Sequence, residues 1–325
     1  MPAILILAAL VFVLIVAFGI WLNRPPAIHE LTSHSHPISS YSEAIDRIAT
    51  LTAGEDTDFA EACRTHFLTH GERTKHVIIF AHGYTNCPKQ FAELGRAFFE
   101  LGYNVLIPPL PYHGLADRMT EKQALLTAEA LARYADEVVD IAQGLGEKVV
   151  MAGLSGGGVT TAWAAQHRQD IDLAVVISPA FGFQAIPTAF TTPAAKLFRI
   201  VPNFYRWWDP VLQESVGPSH AYPRMASRAL AGILRLGSAT LAAASYKTPA
   251  ARSVLVIMNA SDRSINNELV RRYVEYLRKQ NYNGLRTYEF EADLKLGHDL
   301  IEPAQPEQRI DLIYPKLIEL MTISI

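Results

Sequence analysis

Cysteine is scarce in this chain of 325 residues, with Cys63 and Cys87 as the two examples. Their spacing is not of the kind that ligates a metal. His34 and His36 share a polar stretch but have no further ligand nearby in sequence, so both are expected to be solvated and no metal site is expected. Charge is also sparse, at 19% of residues, with 29 Lys and Arg against 32 Asp and Glu and a net charge of -3. Without a basic block, nucleic acid is excluded as the natural partner. There is no internal repeat. Half of the residues are hydrophobic, enough for one large α/β domain or two small ones.

Residues 3–22 are apolar throughout. At ~1.5 Å per residue a helix of that length spans the ~30 Å hydrocarbon layer of a bilayer. Trp21 falls at its end, where an interfacial aromatic belongs, and Asn23-Arg24-Pro25-Pro26 stops it. A cleaved signal peptide would need a charged start and a small-residue cleavage site, and neither is present. The expected organisation is a transmembrane anchor at 1–24, a polar linker with a short helix at 25–52, and a catalytic domain at 53–325. Charge gives little guide to orientation: the α-amino group lies on one side, with Arg24 and then Glu30 on the other.

Beyond the linker, residues 42–51 read as a short amphipathic helix. Residues 63–68 and 77–80 read as a hairpin turning at 71–74. Strands are then expected at 104–107, 149–152, 173–178, 253–258 and 286–290. They alternate with helices at 90–100, 124–145, 159–166, 266–279 and 306–321. That alternation implies a mostly parallel sheet with helices on both faces. Residues 181–249 break the rhythm without a clear buried strand. They carry Phe190, Phe198, Phe204, Tyr205, Trp207 and Trp208, then an alanine-rich helical run. An insertion of this kind at the carboxyl edge of a sheet is expected to be a lid and also a structural subdomain that packs aromatics inward, with a few of them facing a pocket.

Gly153-Leu154-Ser155-Gly156-Gly157 fits G-x-S-x-G between a strand and a helix. In that setting the serine sits on a strained turn, and side chains at 153 and 157 would collide with the strand and helix beside it. The helix start aims the Gly156 N–H at the reacting centre. A serine hydroxyl is a weak nucleophile, so it needs a base, and the base needs an orienting carboxylate. Asp262 ends the buried strand at 253–258, and His298 follows the last strand, in the Ser, Asp, His chain order of such an elbow. Asp293 and Asp299 are rival carboxylates, the latter too close in the chain to His298. Two oxyanion donors are required: Gly156 N–H, and Tyr84 N–H from the loop His82-Gly83-Tyr84. Gly83 lets that loop pass close to the pocket, and His82 is expected to brace it.

These motifs make the chain similar to the α/β-hydrolase superfamily. It most resembles the carboxylesterases and monoacylglycerol-lipase-like serine hydrolases. The resemblance rests on His82-Gly83, on Gly153 to Gly157, on Asp262 and on His298. It also rests on Pro111-Tyr112-His113-Gly114, where Tyr replaces a usual Gly. It spans residues 77–321 apart from the insertion. It implies the triad Ser155, Asp262 and His298, an oxyanion hole of Tyr84 and Gly156, no cofactor, and a carboxylic ester as substrate. The membrane anchor and aromatic lid point to apolar acyl chains. A thioesterase, amidase or peptidase would use the same triad, and a catalytically silent binding protein would use the same fold.

Cys63 and Cys87 are expected to pair. In the expected hairpin Cys63 lies opposite roughly His82, and the loop that follows can return Cys87 to the same end. The closed loop would stabilise the fold by roughly 3 kcal/mol. Such a bond implies an oxidising compartment, and hence an extracytoplasmic catalytic domain.

Overall fold

A computed structural model describes residues 2–23, 31–55 and 57–322. The elements are α1 (Pro2–Asn23), α2 (Tyr41–Thr52), β1 (His66–Leu68), β2 (Thr74–Ala81), α3 (Ala92–Glu100), β3 (Tyr103–Ile107), α4 (Ala128–Leu145), β4 (Gly146–Leu154), α5 (Gly156–His167) and β5 (Leu173–Ile177). They continue with α6 (Thr191–Ile200), β6 (Tyr205–Trp207), β7 (Arg224–Ala226), α7 (Ser227–Ala244), β8 (Val254–Asn259), α8 (Asn267–Lys279), β9 (Leu285–Phe290) and α9 (Ile310–Thr322). Among the described residues the main sheet has the order β1-β3-β2-β4-β5-β8-β9. Every ladder is parallel except β1 with β3.

The central strands are apolar on both faces because helices cover both. Val77, Ile79, Val149, Met151, Val176 and Val256 point into the core beneath α4, α5, α7 and α8. Ile78, Phe80, Val150, Ile177 and Ile257 point to the opposite face, beneath α3 and α9. The alternation along one strand assigns each residue to one core or the other. Side-chain caps begin three of the helices. Ser40 Oγ accepts the Glu43 N–H at 3.3 Å, Thr127 Oγ1 the Ala130 N–H at 3.1 Å, and Asn266 Oδ1 the Glu268 N–H at 3.0 Å.

Two expectations from the sequence change. The first is the hairpin. β1 does not pair with β2; it runs antiparallel to β3, with His66 opposite Ile107. Both edges of β2 are already taken by β3 and β4, so no edge is left for β1. The crossing is held by Asn104, whose side chain accepts the His70 N–H and donates to the Glu72 and Leu145 carbonyls. Cys63 and Cys87 are nonetheless joined, with a Cα separation of 5.2 Å. They meet because β1 starts beside the carboxyl end of β3, the same sheet edge from which the loop after β2 emerges.

The second is the amino-terminal segment. Among the described residues no helix is long and apolar enough to cross a membrane, so the transmembrane anchor is not supported. What is described of α1 is a helix with Leu7, Phe12 and Leu14 exposed and its end laid on α6, where the Lys196 ammonium sits 4.9 Å from the Trp21 ring centre and bonds its carbonyl. Residues 24–30, with the Arg24-Pro25-Pro26 stop and Glu30, lie outside the described residues. The rest of the linker is no free tether. Leu31 and Ile38 are buried, and Trp163 donates to the Leu31 carbonyl. The Ser33 hydroxyl and His34 N–H donate to Asp136 at 2.6 and 2.7 Å, and the His36 N–H donates to Asp140 at 2.9 Å.

The insertion at 181–249 carries no fully buried strand; its two short strands, β6 and β7, pair antiparallel with each other and are partly buried. Its alanine-rich helix α7 is largely buried, with Ile233, Leu234 and Leu236 in the domain interior. The aromatics divide: Phe190, Phe204 and Trp208 are exposed, while Phe198 and Tyr205 pack against the core.

Arg168, 2% exposed, ties this side of the domain together. Its guanidinium bonds Asp140 and Asp170 at 2.6 Å each and Asp136 at 3.2 Å. Two of those aspartates also hold the segment at 33–36. Arg168→Met would leave three poorly solvated carboxylates without their cation, a loss of about 3–5 kcal/mol. Denaturant titration should show that loss, and limited proteolysis should begin to cut within residues 31–40. An unchanged midpoint would show that the cluster is not structural.

Candidate active site

Six parallel strands end at one edge of the sheet. The chain leaving β4 turns at Ser155, whose φ of 58° and ψ of -113° lie outside the ordinary basins of an L-residue. The turn is held by main-chain bonds: Ser155 N–H to the Ile177 carbonyl at 3.0 Å, and Ala180 N–H to the Ser155 carbonyl at 3.1 Å. Glycines make room for it. A Cβ on Gly153 would lie 2.3 Å from the Gly157 carbonyl oxygen, and one on Gly157 2.0 Å from the Ala81 carbonyl oxygen. Gly158, which the motif leaves unspecified, is constrained as well: its Cβ would meet the Ile177 carbonyl oxygen at 2.8 Å.

Asp262, in the loop after β8, has a fully buried carboxylate. Its Oδ1 accepts the Ser264 and Ile265 N–H groups at 2.8 and 3.2 Å, and its Oδ2 lies 2.7 Å from His298 Nδ1. Burial alone would raise the Asp262 pKa. The imidazole and the two N–H donors outweigh burial and hold it below the ordinary carboxylate range. His298 is the mirror case. Burial disfavours its imidazolium, but the charge and hydrogen bond of Asp262, with Asp299 adding, bring its pKa above the usual 6.5. The rival carboxylates are elsewhere: Asp293 is exposed, and Asp299 faces Gln90 and Asn86.

The loop after β2 comes beside the elbow. A Cβ on Gly156 would lie 3.3 Å from the Tyr84 nitrogen, and one on Gly83 3.7 Å from Ser155 Cβ. His82, fully buried, donates from Nδ1 to the Gly83 carbonyl and accepts the Leu110 N–H at Nε2, both at 2.9 Å. With both ring nitrogens engaged and burial pushing its pKa well below the ordinary value, His82 is a neutral brace. The Tyr84 hydroxyl donates to Gln123 at 2.7 Å and accepts the Ala226 N–H at 2.9 Å, so the insertion helps to seat it. Thr85, at φ 74°, is gripped from the same side: Trp208 Nε1–H donates to its hydroxyl at 3.0 Å and Tyr222 N–H to its carbonyl at 2.7 Å.

Several residues of this edge are not visible in the motifs. Asn259, fully buried, donates to the Leu296 and Gly297 carbonyls at 3.2 and 2.8 Å, so the end of β8 holds the segment that presents His298. Gln90 and Asn86 act similarly on the loop after β2. Their only sequence signal is an amide side chain beside a motif in an apolar setting. Among the described residues no cluster of His, Cys, Asp and Glu is arranged to hold a metal ion.

Gly157→Ala should lower stability by about 3 kcal/mol and abolish labelling of Ser155 by a fluorophosphonate. Gly54→Ala, where the nearest neighbour of the new Cβ would be 3.8 Å away, should change neither. A Gly157→Ala protein that labels at the wild-type rate would disprove the tight approach of α5 to β2.

The profile of the alpha/beta hydrolase family matches residues 78–311. A stretch of 120 residues is 28% identical to a thermostable monoacylglycerol lipase of Bacillus sp. (strain H-257), covering 35% of this chain and 44% of that enzyme; the match thus spans less than half of the curated relative. Among solved structures, the monoacylglycerol lipase of Paleococcus ferrophilus superposes with a TM-score of 0.60 at 19% identity, over 79% of this chain and 97% of that one. A structure from work on the metagenome-derived lipolytic enzymes LipS and LipT gives 0.61 at 17% identity, over 81% and 98%. At such identities these likenesses carry the fold alone. The matched profile covers well over half of the chain, with Ser155, Asp262 and His298 all inside it: the chain belongs to the alpha/beta hydrolase family.

Proposed function

We propose that the protein is a serine hydrolase of carboxylic esters, with apolar acyl esters as its substrates. The observation that carries the reading is the 2.7 Å contact between His298 Nδ1 and Asp262 Oδ2, at the same sheet edge as a serine held at φ 58°. With its Nδ1 proton donated to Asp262, His298 keeps a lone pair on Nε2 for use as a base. Ser155 Oγ attacks the ester carbonyl as its proton passes to Nε2. The carbonyl oxygen gathers negative charge between the Gly156 and Tyr84 N–H groups. As the tetrahedral carbon collapses, the C–O bond to the alcohol breaks and Nε2 returns the proton to the departing oxygen. Water then repeats the sequence on the acyl-enzyme, releasing the acid and Ser155. The scheme uses no cofactor.

Two observations support the substrate class. The exposed Phe190, Phe204 and Trp208 of the insertion offer apolar surface, and Trp208 also touches the Thr85 loop. The Bacillus relative is named a monoacylglycerol lipase. The Cys63–Cys87 bond persists in an oxidising compartment, which supports an extracytoplasmic site of action.

Ser155→Ala should leave the fold intact, abolish fluorophosphonate labelling and reduce turnover of p-nitrophenyl esters by a factor on the order of 10⁶. Retention of more than about a tenth of wild-type turnover, against that scale, would remove Ser155 from the mechanism.

Only neutral His298 accepts the serine proton, so kcat/KM should fall as pH drops through the His298 pKa, a one-proton limb placed above 6.5 by Asp262 and Asp299. Asp262→Asn removes the larger of those two anionic influences. Its residual activity, lower by a factor of about 10⁴, should show the limb displaced to lower pH. A limb that stays put in Asp262→Asn would mean that another group titrates.

A further inference from the structure

We propose that Gln90 and Asp299 are positioning residues that form a bridge between the loop presenting the base and the loop presenting the oxyanion donors. The proposal rests on the ester-hydrolase reading above. Gln90 sits in a tight turn at Pro88–Phe91, just before α3, and is 1% exposed. Both ends of its amide are used. Oε1 accepts the Gly83 N–H at 2.8 Å, and Nε2 donates to Asp299 Oδ2 at 2.7 Å. The amide has one workable orientation, because a flip would set its NH₂ against the Gly83 N–H and its oxygen against a carboxylate.

Asp299 directly follows His298, and its own position is set by the main chain: Oδ1 accepts the Ile301 and Glu302 N–H groups at 3.1 Å each. A parallel, looser strut runs through Asn86. Its Nδ2 donates to Asp299 Oδ2 and Glu302 Oε2 at 3.3 Å each, while its Oδ1 accepts the Cys87 N–H at 2.9 Å. Glu302 Oε2 in turn lies 2.9 Å from His220 Nε2. Donors and acceptors alternate from the histidine loop to the backbone of Gly83.

The bridge acts on the reaction through one peptide unit. The Gly83 N–H is the amide immediately before that of Tyr84, and Gly83 touches both Gln90 and Ser155: an added Cβ would lie 3.5 Å from Gln90 Nε2 and 3.7 Å from Ser155 Cβ. Releasing Gly83 from Gln90 lets the Tyr84 N–H move relative to the carbonyl oxygen it must meet. A donor that meets charge arising only in the transition state acts on kcat and not on ground-state binding. Placing that donor from the residue next to the base keeps the two halves of the machinery in register.

The test uses the full chain, p-nitrophenyl acetate, and a trifluoromethyl ketone that forms a tetrahedral adduct with serine. Gln90→Met keeps the volume and removes both polar contacts. With circular dichroism and melting close to wild type, kcat should fall about 10- to 100-fold with KM within about twofold, and ketone affinity should fall by a similar factor. Asp299→Asn should lower kcat in the same way. Because the two residues form one bridge, the double variant should be no slower than the slower single one. Additive losses, a change confined to KM, or an unchanged kcat would overturn the proposal. If Gln90→Met does not fold, Asp299→Asn alone decides it, since an unchanged kcat there removes the bridge. Ser155→Ala, run alongside, separates the two levels: if it retains activity the ester-hydrolase reading fails, whereas an inactive Ser155→Ala with a fully active Gln90→Met defeats the bridge alone.

Discussion

Ser155 stands where it does because the first turn of α5 lies against the backbone of β2 with no room for a side chain. A methyl group on Gly157 would be 2.0 Å from the Ala81 carbonyl oxygen, so helix and strand are in direct main-chain contact. That approach goes with the positive φ of Ser155. It also brings the Gly156 and Tyr84 amides side by side. The remaining site residues serve a geometry that this contact has already imposed. The strain at Ser155 is maintained by main-chain bonds to Ile177 and Ala180, so β5 shares in holding Ser155.

Around this centre the domain spends polar groups sparingly and in pairs. Asp262 is buried, yet each of its oxygens has a donor. Arg168 is buried, yet each of its charged contacts is an aspartate. Buried ions of this kind do little for net stability and much for uniqueness of geometry, because breaking any one of them leaves a desolvated charge. The Asp262–His298 pair fixes a ring orientation at the site. The Arg168 cluster fixes the path of residues 33–36 across α4 and brings the amino-terminal segment to a defined place on the domain.

The loop after β2 is the most heavily constrained segment of the site. His82 ties it to Leu110, Gln90 to the histidine loop, the Cys63–Cys87 bond to the chain before β1, and Trp208 and Tyr222 to the insertion. The insertion is therefore more than a cover. Its α7 belongs to the core, and the chain between its two strands reaches the loop after β2 at Thr85. Its exposed aromatics are the part left over for contact with something outside the domain.

The sequence by itself determined most of the elements and the order of the candidate site residues. Strands such as β4 and β8 are short apolar runs with turn residues after them, and local chemistry is enough to mark them. G-x-S-x-G between a strand and a helix names Ser155, and strand ends name Asp262 and His298, because in a parallel sheet every such end falls on one edge. Only the tertiary structure decided which strands are neighbours. β1 could pair with any free edge, and the occupation of both edges of β2 by β3 and β4 is a long-range fact with no local trace; the expected hairpin failed for that reason. The same holds for Asn259, Gln90 and Arg168, whose side chains look like ordinary polar residues until folding removes water from them. A polar group acquires its role from the partner that replaces its water, and that partner is up to 209 residues away in the case of Gln90 and Asp299.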